Sequence, residues 1–298
     1  MPVAATFLFE DIDGQSLSSL ARLDTMATVV DAATFLDRFA HLEELTDLGV
    51  GRDEEDDRSV VDLVVDQVEF ANVIAISKPD LVSPQHLEKV VAMVRRLNPD
   101  ARLVVMENGN VPLEAVLDTG LFDEVEGEAA PGWAQILNDE VTPETEEYGI
   151  TSFVYRHRWP FHPKRLSREL NEAWPGVLRS KGFFWIASRP DMQAMWSHAG
   201  LSVMLEPLAP WYVSTPEDEW DLETDEERAE LMERWDPLLG DRQTEIVFIG
   251  IDMDEDAIRR RLDACILTGR EFEKGPEKWL KFRDPLPEWD LSCDLELE

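Results

Sequence analysis

Short runs of apolar residues, dense in β-branched side chains and unbroken by polar positions, recur through the first third of the chain. They are Met26 to Val30, Val73 to Ile76 and Leu103 to Met106. Strands that read this way are buried on both faces, as in a parallel sheet. Between them the period changes. Across Ser59 to Phe70, the residues Val60, Val61, Leu63, Val64, Val68 and Phe70 fall mostly at helical spacing, and Pro84 to Leu97 opens with a proline suited to a first helical turn. Strand alternating with helix predicts a parallel α/β sheet with right-handed crossovers. Three strands make a small sheet, and the opening segment Pro2 to Phe9 reads like the interior of a fold.

From Leu103 to Tyr155 there is no Lys or Arg, while acidic residues accumulate beside Pro131, Gly132 and Pro143, which marks a domain boundary. Beyond it the pattern predicts a strand over Ile150 to Arg158, a helix over Pro163 to Trp174, and strands over Val177 to Ala187 and Leu201 to Leu208. A last unit pairs the strand Thr244 to Ile251 with the helix Asp254 to Leu267, capped by Asp252 or by Asp254, Glu255 and Asp256. This order suits a compact α+β domain. The expected division is a first α/β domain over 1–125, an acidic linker over 126–148, an α+β domain over 149–272 and a tail over 273–298, unstructured from Pro285. The polyanionic stretches Asp53 to Asp57 and Glu217 to Glu227 read as solvated loops.

Composition then narrows the function. The 298 residues carry 63 Asp plus Glu against 28 Lys plus Arg, a formal net charge of -35. That excludes a nucleic-acid binder relying on a basic surface, and equally argues against docking on anionic lipid. Only seven of the basic residues are lysines, and this Lys-poor, acid-rich balance suits a halophilic cytoplasm whose counter-ions screen self-repulsion. Two distant cysteines, Cys265 and Cys293, make neither a disulfide framework nor a Cys-rich zinc site, so a reducing, cytoplasmic compartment is expected. The start has no basic leader, and no stretch has the roughly 18 uninterrupted apolar residues of a membrane helix.

The sharpest chemical signal is Ile74-Ala75-Ile76-Ser77-Lys78-Pro79-Asp80, a buried strand ending in a loop with a lysine and a carboxylate. A carboxylate at a strand's C-terminal edge can accept two parallel hydrogen bonds, from guanine N1–H and its 2-amino group. Adenine offers no such pair of donors, so the site selects guanine. The Lys78 stem can cover the base plane. By itself the motif is short, and a capped strand-to-helix turn is the better account of it.

The stretch Asp57-Arg58-Ser59 through Asp66-Gln67-Val68-Glu69-Phe70-Ala71-Asn72-Val73-Ile74, running into Ser77-Lys78-Pro79-Asp80, resembles the CobW family of metal-handling GTPases. The likeness continues through Arg22-Leu23-Asp24-Thr25-Met26, Val29-Val30-Asp31-Ala32, Val111-Pro112-Leu113 and Asp118-Thr119-Gly120-Leu121-Phe122. It extends into Pro160-Phe161-His162-Pro163, Arg179-Ser180-Lys181-Gly182-Phe183-Phe184-Trp185 and Val247-Phe248-Ile249-Gly250-Ile251, which resemble the family's C-terminal domain. The resemblance implies a P-loop GTPase-type parallel sheet followed by an α+β CobW C-terminal domain. It implies GTP as ligand through Ser77, Lys78 and Asp80, magnesium in the complete family protein, zinc as cargo, and a metal-requiring client protein as partner. Self-association is left open. The family's specificity loop usually opens with Asn where this chain has Ser77.

The family's phosphate-binding motif G-x-x-G-x-G-K-[ST], its C-x-C-C metal motif and its acidic switch motif do not occur in these 298 residues. Met1 to Ala5 resembles the segment just after that switch, so the expectation is an incomplete sheet, about three strand-helix units short, and a chain inactive as a GTPase alone. From another class, the competing reading is a non-catalytic interaction module that binds a client or a separate P-loop half. For metal, His157 and His162 flank Arg158-Trp159-Pro160-Phe161 and are the candidate ligands, although five-residue spacing across a proline is no recognised two-ligand pattern. Structural or surface roles compete with that reading. His41, His86 and His198 read as solitary, Cys265 as a small core residue, and the tryptophans as packing.

Overall fold

The computed structural model describes residues 17, 20–40, 59–106, 108–122, 149–222 and 224–289. They fall in two compact units, one comprising Met1–Ile150 with Gly200–Ser202, the other Thr151–Ala199 with Val203–Glu298. The expected linker 126–148 and the acidic run Asp53 to Asp57 lie outside the described residues, as does Cys293.

In the first unit, β1 (Ala27–Asp31), β2 (Val73–Ser77) and β3 (Arg102–Val105) form a parallel sheet in the order β1-β2-β3. Val73, Ile74 and Ile76 of the central strand are fully buried, which is why its sequence is an unbroken apolar run. A short α1 (Phe35–Arg38) follows β1, and the crossovers carry α2 (Val60–Glu69) and α3 (Pro84–Leu97). Ser59 and Asp62 form a reciprocal capping box at the start of α2, and Ser83 caps α3 with Pro84 in its first turn. Val61, Val65 and Val68 of α2 and Val90, Met93, Val94 and Leu97 of α3 supply the buried faces.

Asn98, buried just after α3, donates its side-chain amide to the carbonyls of Val68, Glu69 and Ala71, and accepts from the amide of Ala101. One side chain thereby satisfies the exposed carbonyls at the end of α2 and turns the chain into β3. Ahead of β1, Asp24 accepts from the amides of Thr119 and Gly120 and from the Thr25 hydroxyl, tying the 118–122 segment to the strand's start.

The second unit is a five-stranded sheet in the order β4-β8-β5-β6-β7, built from β4 (Ile150–His157), β5 (Val177–Phe184), β6 (Met192–Ala199), β7 (Ser202–Pro210) and β8 (Thr244–Ile251). β5 runs antiparallel to both β6 and β8. The helices are α4 (Pro163–Leu170), α5 (Asp225–Glu233), α6 (Glu255–Asp263), α7 (Gly269–Phe272) and α8 (Pro276–Trp279). Tyr155, Phe161, Phe184, Trp196, Phe248, Ile258 and Leu262 fill the main core, and a second cluster gathers Trp185, Trp211, Leu267 and Trp279. At Gly182 the partner strand comes so close that a Cβ would sit 2.1 Å from the carbonyl oxygen of Glu245.

Several expectations change here, among them the helix expected to reach Trp174, which ends at Leu170, and the strand expected to reach Ala187, which ends at Phe184. β6 was not anticipated. The acidic stretch read as a loop contains the start of α5, nucleated by a capping box between Thr224 and Glu227. The helix expected to run to Leu267 ends at Asp263, its N-cap being Asp254, whose side chain accepts from the amide of Ala257 at 2.8 Å. The segment expected to be tail is ordered through Trp289: Trp279 and Leu286 are buried, and Trp289 packs against the main core. No helix among the described residues is long and apolar enough to cross a membrane.

Candidate functional site

Ligands of open parallel sheets bind outside the C-terminal ends of the strands, and that is where β2 delivers the predicted loop. Ser77 is the strand's last residue, Lys78 stands in the left-handed region at φ 56° and ψ 40°, and Pro79 to Leu81 form a single 3-10 turn. Few side chains other than Gly, Asn or Asp adopt that conformation without cost, so Lys78 holds a small strain at a position able to meet a ligand. The turn closes through the amide of Leu81 on the carbonyl of Lys78 at 3.1 Å.

The three predicted residues do different things. The Ser77 hydroxyl donates to the carbonyl of Val30 at 3.2 Å, stitching β2 to β1 at their ends. The Lys78 ammonium donates to Asp31 Oδ2 at 2.6 Å. Asp80 is exposed, and its carboxylate accepts no hydrogen bond and makes no ion pair among the described residues. The sequence motif therefore forms one loop, with a committed serine, a tethered lysine and an uncommitted carboxylate.

Two residues of this site were not singled out from sequence. Asp31 is level with Ser77 in the register, and its Oδ1 accepts from the amide of Ala33 at 2.9 Å while Oδ2 takes the lysine. Burial pushes its carboxyl upward, but the hydrogen bonds from Lys78 and Ala33 outweigh that and hold it below the usual carboxylate range. His86, in the first turn of α3, places Nε2 3.0 Å from the carbonyl of Ala32. The signal available in sequence was position: an Asp ending an apolar strand sits beside whatever ends the next parallel strand.

The candidate metal ligands lie in the second unit. His157 ends β4, and its Nδ1 lies 3.0 Å from the amide of Trp159, which donates to it; burial lowers the imidazole's proton affinity. His162 is the N-cap of α4, with Nδ1 accepting from the amide of Lys164 at 3.2 Å. Its ring stacks on Phe282, with centroids 4.6 Å apart, and Nε2 lies 4.0 Å from Glu271 Oε1. Burial, then the nearby Arg165, lowers the proton affinity of the His162 imidazole. Among the described residues no group of three or more His, Cys, Asp or Glu side chains is placed to hold a metal ion. Cys265 is buried, with its thiol pushed up to about 11 by burial, the behaviour of a packing residue rather than a ligand.

Comparison with known proteins agrees with this two-part layout. Residues 1–105 match the CobW/HypB/UreG nucleotide-binding domain, and residues 150–266 match the C-terminal domain of the cobalamin synthesis protein CobW. The chain is 40% identical over 307 residues to zinc-regulated GTPase metalloprotein activator 1 of Dictyostelium discoideum, an alignment covering 100% of this chain and 62% of that protein. It is 28% identical over 277 residues to a zinc chaperone of Mycobacterium tuberculosis, covering 91% of this chain and 63% of the relative. The chain thus spans about three fifths of the length of these curated relatives. Among solved structures, the Zn(II)-bound YjiA GTPase of E. coli aligns with a TM-score of 0.33 at 19% identity, over 89% of this chain and 67% of that one. Along the chain, a region matching the CobW/HypB/UreG nucleotide-binding domain is thus followed by a region matching the CobW C-terminal domain.

Proposed function

We propose that this chain reads the guanine base of GTP through Asp80 and takes part in delivering zinc to a metal-requiring client protein. The observation that carries the reading is the Asp80 carboxylate, exposed and uncommitted on an ordered turn at the C-terminal end of the central parallel strand. Its two oxygens are free to accept the paired donors of guanine, and in this reading the Lys78 stem covers the ring. Phosphate and magnesium contacts are not assigned to residues of this chain, because the 298 residues hold no G-x-x-G-x-G-K-[ST] sequence. Positioning and charge stabilisation dominate phosphoryl transfer, so hydrolysis by this chain alone is expected to be negligible, and alone it acts as a binding module.

The test is base discrimination. Guanosine, xanthosine and adenosine monophosphates titrated into the 298-residue chain should bind in the order guanine over xanthine over adenine. Asp80→Asn should invert the first two by about tenfold or more, because an amide donates to the 2-oxo group of xanthine. Equal guanine affinity in wild type and variant would place the base elsewhere.

Zinc contact in this chain is assigned to His162 and His157, with water or acidic neighbours completing a weak, open site. For His162 the free atom is Nε2, already facing Glu271. Calorimetric titration with zinc should show a weak site that His162→Ala or His157→Ala diminishes and Cys265→Ser leaves intact. Histidine variants that bind as wild type does would remove both residues from metal handling.

A further inference from the structure

We propose that Asp31 is a positioning residue for the base-reading loop, setting the Lys78 side chain, and with it the covered face of the base pocket, through the ion pair across the ends of β1 and β2. The proposal rests on the guanine reading above and extends it to a residue on a neighbouring strand that touches no base.

The geometry carries it in three steps. First, Lys78 leaves the strand in the left-handed conformation, which turns its side chain out of the regular alternation of β2. A lysine stem has four rotatable bonds and, untethered, would sample many rotamers. Second, the partner that fixes it is itself fixed. Asp31 Oδ1 is held by the amide of Ala33, Oδ2 takes the ammonium at 2.6 Å, and the Asp31 side chain is 27% exposed against 55% for Lys78. Third, the two loops carrying the pair are locked together by other bonds. The amide of Ala32 donates to the carbonyl of Ser77 at 3.0 Å, the Ser77 hydroxyl reaches Val30, and His86 reaches the carbonyl of Ala32.

An isolated ion pair this exposed would add little to stability. Here its effect is geometric: a charged stem pinned at its far end presents its methylenes on one side only. Such preorganisation lowers the ordering cost that a flat ligand would otherwise meet on binding. Asp31 acts through Lys78, and Asp80 remains the group that contacts the base edge.

With only seven lysines in the chain, selective 13C labelling at Lys Cε gives a spectrum in which Lys78 can be assigned by its loss in Lys78→Arg. Guanosine monophosphate should move the Lys78 signal and adenosine monophosphate should not. Asp31→Asn should shift that signal toward the untethered lysines and weaken guanosine monophosphate about tenfold. Asp31→Glu should restore much of both, and amide spectra should show the sheet intact in each variant. Guanine binding that depends on Asp80 while ignoring Asp31→Asn would overturn the positioning role and leave the base reading standing. No guanine-dependent change in wild type would overturn both.

Discussion

Glu271 shows how much one side chain can organise. It opens α7, where the amide and hydroxyl of Thr268 bond to it, and it accepts a two-pronged pair of hydrogen bonds from Arg165 at 3.1 and 2.8 Å. The guanidinium, then the Thr268 bonds, pull its carboxyl down to about 2. A depressed carboxylate stabilises the fold above its unfolded value, 4.5, and that contribution is lost as pH falls toward 2. Glu271→Gln should therefore lower the melting temperature at pH 7, an effect of about 1–2 kcal/mol for a charge-assisted pair. The gap between variant and wild type should narrow between pH 4.5 and 2. A gap that stays constant through that range would detach the pH dependence from this residue. The same neighbourhood explains His162: an imidazole that caps a helix through one nitrogen and faces a strongly acidic carboxylate with the other was visible in sequence only as a histidine between prolines.

At the scale of elements, what the sequence revealed depended on whether burial followed the chain's local period. The core strand β2 was legible because all four residues from Val73 to Ile76 are buried, and α2 and α3 because their caps and apolar faces coincide. β6 was not, because its inward positions are Ala194, Trp196 and His198, small, aromatic and polar residues that make no apolar alternation. α5 was hidden for the opposite reason: it buries none of its residues, so no amphipathic stripe exists, and only Thr224 with Glu227 announced it. The base-reading loop was legible as far as Ser77, Lys78 and Asp80; Asp31 belongs to it through sheet register, which no local pattern encodes. Register also makes the pairing of β5 with β8 vulnerable. Gly182→Ala would force a Cβ to 2.1 Å from a backbone oxygen that cannot retreat without unpairing the strands. A loss of about 3 kcal/mol or more is expected in chemical denaturation, and a loss below about 1 kcal/mol would mean the strands separate easily there.

For the whole molecule the dominant quantity is charge. With -35 spread over 298 residues, self-repulsion opposes the compact state, and counter-ions relieve it within a Debye length of about 3 Å at molar salt against about 10 Å at 0.1 M. Melting temperature should rise from low to molar KCl, by about 2–4 °C for each kcal/mol gained. A flat or falling profile would show that the acidic surface does not limit stability.

The tryptophans packed through the second unit have an optical consequence. Nine of the ten, from Trp159 to Trp289, belong to it. Intrinsic fluorescence is therefore almost wholly a signal from the second unit, while far-ultraviolet dichroism sums the helices and strands of both. An unfolding curve followed by emission can complete its transition with the base-reading loop still intact, or stay flat while that loop melts. Coincidence of the two signals would show that the units unfold together; separation would give each its own free energy.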